Sequence, residues 1–157
     1  MKLKVGFFSL TCDEGCSVNV LEVLNNKYFE WKNYLEFVNF RLIKSENEIK
    51  EMDIAFVEGV VSTKKDLEKI KKIREKTKKL IALGTCAISG PPSNLRNNFN
   101  EEKKREIKEI LEKFGFLEKC FTLKEVVKVD GEIPGCPIDE NKFIQLIENL
   151  IKNARRY

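Results

Sequence analysis

Histidine is absent from the 157-residue chain. That removes the commonest proton shuttle and the commonest zinc ligand, so any metal chemistry falls to cysteine. No apolar run approaches the roughly 18 residues that a membrane span needs, and Met1 to Leu10 carries a short strand-like pattern in place of a cleavable leader. No repeat, low-complexity tract or linker interrupts the chain. The sequence therefore predicts one domain over residues 1–157 and a cytoplasmic location, where thiols stay reduced. The first loop also lacks the Ser/Thr/Gly-rich cradle of a mononucleotide site. Thr11 to Gly15 instead offers two carboxylates, Asp13 and Glu14, that repel phosphate.

Charge is plentiful but mixed. Lys and Arg number 29 against 25 Asp and Glu, a net +4. The two signs alternate along Lys64 to Lys79 and Glu101 to Lys113, the pattern of solvated helix faces laced with i,i+4 pairs, which argues against a nucleic-acid surface.

Apolar periodicity supplies the elements. Lys2 to Ser9, Leu35 to Ile43, Asp53 to Val57 and Leu80 to Leu83 read as strands, and Val126 to Val129 as a further short extended piece. Helices are predicted from Cys16 to Asn26, from a Ser62 or Thr63 cap to Thr77, from Glu101 to Phe114 and from Asp139 to Ala154. Ser45 and Glu48 form a capping-box signature for one short helix more. Alternating strands and helices imply an α/β fold with a parallel sheet covered on both faces. Four strands in the flavodoxin-like order 2-1-3-4 are expected, with ligands bound beyond their carboxyl ends. Thr11 to Cys16, Glu58 to Ser62 and Gly84 to Ser89 are the loops at that edge.

Four of the five cysteines stand in glycine-bearing loops: Cys12 and Cys16, Cys86 in Gly84-Thr85-Cys86-Ala87, and Cys136 in Pro134-Gly135-Cys136-Pro137. Glycine beside a ligand lets the main chain come close, and a helix start at Cys16 favours negative charge. This set suits one 4Fe-4S cluster, which takes one thiolate per iron. A structural zinc is served equally well by four thiolates, and small buried hydrophobes are the plain alternative. Cys120, in Glu118-Lys119-Cys120-Phe121, has no glycine or loop signature and reads as structural.

Leu10 to Cys16, Asp53 to Ser62, Gly84 to Gly90 and Ile133 to Pro137 together resemble the small subunit of nickel-iron hydrogenases and the homologous cluster-bearing subunit of complex I, in order and over almost the whole chain. The likeness is greatest to the cytosolic group of sulfhydrogenase delta and NAD-linked bidirectional hydrogenase small subunits, where Ser93 to Asn97 also has a counterpart. The resemblance implies an oxidoreductase subunit without catalysis of its own. It would carry one proximal 4Fe-4S cluster on Cys16, Cys86, Cys136 and a first-loop cysteine, and relay electrons between a nickel-iron large subunit and a flavin or ferredoxin-type module. Two departures stand out. The family's Cys-x-x-Cys is widened here to Cys12 and Cys16, with Asp13 at the expected cysteine, so either Cys12 or Asp13 supplies the fourth ligand; thiolate is the softer. The chain also ends after its last predicted helix, with no cysteine-rich extension for further clusters. The two adjacent cysteines of complex I relatives are missing, which disfavours the quinone-linked reading. Another complex I-like oxidoreductase subunit and a zinc-binding scaffold remain the alternatives. Glu58, in the matching Val-Glu-Gly block, reads as a proton-relay or interface residue, and Glu14 as that or as a solvated carboxylate.

Overall fold

A computed structural model of the chain describes residues 2–154. Its elements are β1 (Leu3–Ser9), α1 (Gly15–Trp31), β2 (Leu35–Phe40), β3 (Met52–Glu58), β4 (Val61–Thr63), α2 (Lys64–Lys76), β5 (Thr77–Leu83), α3 (Gly84–Ile88), α4 (Glu101–Phe114), β6 (Phe116–Phe121), β7 (Gly131–Ile133) and α5 (Glu140–Ala154). The main sheet runs β2-β1-β3-β5-β7, and β4 pairs with β6 in a separate two-stranded sheet. All four pairings of the main sheet are parallel. Among the described residues no helix is long and apolar enough to cross a membrane.

The expected order 2-1-3-4 is present as β2-β1-β3-β5, and a fifth strand extends it. Strand alternation explains the two-sided core. In β3, Ile54 and Phe56 face one cluster while Ala55 and Val57 face the other. The first cluster packs Val20 and Trp31 of α1 with Phe143 and Ile147 of α5. Its centre is aromatic, with Phe7 stacked on Phe56 at 4.8 Å between ring centroids. The second cluster sets Ile70 and Ile73 of α2 against Leu80 and Ala82. Thr63 and Asp66 close the capping box that starts α2.

Five expectations are corrected. The edge strand forms at Gly131–Ile133 and not at Val126–Val129. Asp130 decides this, because its N–H donates to Leu80 O at 2.8 Å and its carboxylate accepts the Leu80 N–H at 2.9 Å, fixing the register one residue later. The valines before it pack on the second cluster. No helix starts at Ser45. Asn47 Oδ1 accepts the Phe40 N–H at 2.9 Å and Asn39 Nδ2 donates to Glu48 O at 3.3 Å, so this segment closes the end of β2, which stops at Phe40 and not at Ile43. Part of the Glu58–Ser62 loop is strand β4, and Cys86 lies in the short helix α3 instead of a loop. The β4–β6 pair was not foreseen. It forms because Gly115, with φ +70°, ends α4 in the left-handed conformation and turns the chain back.

α4 is helical as expected, but its apolar stripe is largely uncovered: Ile110 is 55% and Phe114 64% exposed. Phe56→Ala should therefore cost about 3–5 kcal/mol, while Ile110→Ser should stay within about 0.5 kcal/mol of the parent. Urea unfolding of both variants checks this; a comparable loss for Ile110→Ser would mean that α4 is packed in solution.

Candidate metal centre

β1, β3 and β5 all end at one edge of the sheet, and the chain leaves each of them through a tightly tethered turn. Gly59, at φ +90°, reverses the chain after β3 so closely that a Cβ there would lie 2.8 Å from Thr11 O. Thr11 and Val60 then exchange two backbone hydrogen bonds of 3.2 and 3.0 Å. The Thr11 hydroxyl adds a bond to Asp66 Oδ2 at 2.8 Å, the same oxygen that accepts the Ser62 and Thr63 amides. The Cys12 loop is in this way tied to the start of α2. At the other side Thr85 donates to Gly135 O through its N–H at 2.8 Å and its hydroxyl at 3.1 Å, joining the Cys86 helix to the Cys136 turn.

Cys12, Cys16, Cys86 and Cys136 line one cavity of about 190 Å³, together with Asp13, Glu58, Leu83, Thr85 and Pro137. Cys12, Cys16 and Cys86 are half-buried and Cys136 is exposed. All four sequence-selected cysteines are thus brought together. Cys120 is not among them; it is 1% exposed in β6. Among the described residues, no group of three or more His, Cys, Asp or Glu side chains is gathered around a single ion position.

Burial pushes the Cys12 thiol up to about 12, with the Glu58 charge adding and the Glu14 N–H opposing. Cys16 is likewise pushed up to about 12, by burial first and Glu58 next, while the Ile138 N–H opposes and Cys86 and Cys136 add. Both are protonated thiols at neutral pH, and the sulfurs are near enough to feel one another.

Glu58 is 2% exposed at the end of β3. Its Oε2 accepts the Cys16 N–H at 3.1 Å and the Ser17 N–H at 3.3 Å, and its Oε1 accepts the Ser9 hydroxyl at 2.9 Å and the Ser17 hydroxyl. The Cys16 and Ser17 amides of α1 are therefore committed to a protein carboxylate, so the negative charge that this helix start favours is supplied by Glu58. Glu14 does not line the cavity; it pairs with Arg41 on the surface. Asp13 Oδ1 accepts the Gly15 N–H at 3.0 Å. Ser9 and Ser17, the partners of Glu58, carried no sequence signal, because a lone serine at a strand end or helix start is ordinary.

The family profile described as NADH ubiquinone oxidoreductase, 20 Kd subunit, matches residues 12–150. Over 150 residues the chain is 33% identical to Sulfhydrogenase 2 subunit delta of Pyrococcus furiosus, a match covering 96% of this chain and 62% of that protein. It is 35% identical over 152 residues to a vhu subunit of the F420-non-reducing hydrogenase of Methanocaldococcus jannaschii, covering 87% of this chain and 52% of the relative. The chain thus spans less than two thirds of either curated relative. The fold superposes on a chain of an NAD+-reducing NiFe-hydrogenase crystallised in the H2-reduced state with a TM-score of 0.82 and 22% identity, covering 98% of this chain and 93% of that one.

Gly84 gives the geometry a direct test. Its φ is +77°, and an added Cβ would collide with Cys16 Sγ, whereas Gly115, at φ +70°, has nothing within 4 Å of that position. Alanine at either site should cost about 1–2 kcal/mol for the left-handed backbone. Gly84→Ala should cost measurably more and change the alkylation rate of Cys16, and Gly115→Ala should leave that rate alone. Denaturant unfolding and thiol labelling distinguish the two.

Proposed function

The chain belongs to the family described as NADH ubiquinone oxidoreductase, 20 Kd subunit, and from that premise we propose that it is the electron-transfer small subunit of a nickel-iron hydrogenase-type complex. One 4Fe-4S cluster would be held by Cys12, Cys16, Cys86 and Cys136. The observation that carries this reading is the lining of one cavity by four thiols from three separated stretches of chain.

The donor set fits such a cluster better than a mononuclear ion. Four thiolates on one zinc lie about 2.3 Å from a common point, whereas the four cysteines here line a cavity of about 190 Å³, with room for more than a single ion. Four thiolates on a cluster each meet a different iron and stand wider apart. When bound, a cluster of this kind supplies one-electron transfer. The chain's own part is to surrender protons from Cys12 and Cys16, hold the sulfurs on tethered turns, and exclude water with Leu83 and Pro137. Between the two candidates for the fourth ligand, Cys12 is favoured, since Asp13 is engaged by the Gly15 amide and thiolate is the softer donor.

A large subunit with a nickel-iron site and a flavin or ferredoxin-type module are the proposed partners, with names of relatives such as sulfhydrogenase subunit delta in support. Val18, in the first turn of α1, and Leu42 and Ile43, just beyond β2, are exposed apolar residues at the cysteine-bearing edge, as a covered face would require.

Anaerobically purified protein should contain roughly four iron and four acid-labile sulfide per chain. Cys16→Ala, Cys86→Ala and Cys136→Ala should each lose most of that iron, and Cys120→Ala should keep it. Stoichiometric zinc without sulfide would overturn the proposal, and iron loss on replacing Cys120 would overturn the ligand set.

A further inference from the structure

We infer that Ser93 tunes the proposed cluster by donating a hydrogen bond to the Cys86 sulfur, and that the β4–β6 sheet holds Ser93 in position to do so. The inference rests on the reading of Cys86 as an iron ligand. Ser93 Oγ lies 3.2 Å from Cys86 Sγ. The Cys86 thiol itself donates to Pro91 O at 3.8 Å. A Cys86 that binds iron as a thiolate, its proton released to solvent, can only accept, so the Pro91 carbonyl ceases to be a partner and the Ser93 hydroxyl remains as a donor aimed at the sulfur.

The fastening of Ser93 is the second half of the argument. Its carbonyl accepts from the buried Cys120 thiol at 3.5 Å, which gives that cysteine a role outside the ligand set. Asn97 grips the Cys120 backbone from both sides, Nδ2 donating to Cys120 O and Oδ1 accepting the Cys120 N–H, each at 2.8 Å. Arg96 donates to Ser62 O at 3.0 Å and Leu117 O at 2.8 Å while its guanidinium lies 5.4 Å over the Phe116 ring. Residues 93–97 are therefore bound to β6, and through Arg96 to β4 as well. On the other side Gly90, at φ +102°, leaves no room for a side chain, because an added Cβ would overlap the Asn94 amide.

A donor to a ligand sulfur withdraws electron density and favours the more negatively charged reduced state, which raises the reduction potential. The test compares wild type, Ser93→Ala and Ser93→Thr as anaerobically purified full-length protein, measuring iron, sulfide and the reduction midpoint by spectroelectrochemical titration. Ser93→Ala should keep wild-type iron and shift the midpoint to more negative potential, and Ser93→Thr, which retains the hydroxyl, should bring it back toward wild type. An unmoved midpoint in iron-replete Ser93→Ala overturns the inference and leaves the proposed function standing. Loss of iron from both variants gives Ser93 a purely structural part and also overturns it. Wild-type protein without iron or sulfide removes the proposed function and this inference together.

Discussion

The carboxylate of Glu58 is the constraint on which the cysteine-bearing edge depends. A buried carboxylate is tolerated only when its lone pairs are satisfied, and here four donors satisfy it: the hydroxyls of Ser9 and Ser17 and the amides of Cys16 and Ser17. Those donors come from the end of β1 and the start of α1. Satisfying Glu58 therefore fixes where α1 begins and points the Cys16 side chain across the cavity. Burial first, and the Glu58 charge second, raise the proton affinity of the Cys12 and Cys16 thiols.

Around that anchor the turns are tied in pairs, Thr11 to Val60 and Thr85 to Gly135. Gly59, Gly84 and Gly135 all have positive φ; an added Cβ would strike the Thr11 turn at Gly59, the Cys16 sulfur at Gly84 and the backbone of its own turn at Gly135. Loops would otherwise be the mobile part of an α/β sheet. Here they share hydrogen bonds with one another, and the rigid layer beneath them is the aromatic core of Phe7, Phe56 and Phe143. Such stiffness would suit the proposed cluster, because bound geometry and second-sphere hydrogen bonds set the properties of a metal group.

Much of this was legible before the fold was known. Strands with continuous apolar runs such as Asp53 to Val57 announce themselves because both faces are buried, and the strand order follows from crossover rules. The start of α2 was legible to within a residue, as a Ser62 or Thr63 cap, and the reciprocal bonds with Asp66 decide for Thr63. The Ser45 and Glu48 signature misled, since the same local chemistry serves a strand-ending turn when Asn39 and Asn47 compete for the backbone. The position of β7 was illegible for another reason: it is set by Asp130 bonding to Leu80, a partner 50 residues distant.

Sequence alone determined which residues are the candidates for chemistry. With no histidine and four cysteines in glycine-bearing loops, the candidate donor atoms follow from composition, and the α/β alternation sets the edge at which two of the three cysteine stretches lie. Tertiary structure decided which side chains do not join the cavity and which unmarked ones support it. Glu14 turned away to Arg41, Glu58 turned inward, and Ser93 reached Cys86 only because Cys120, Asn97 and Arg96 hold its segment against β6. The physical reason is range. Periodicity and capping act over a few residues and are written locally, whereas the satisfaction of a buried polar group depends on whatever the closed chain brings within about three ångströms.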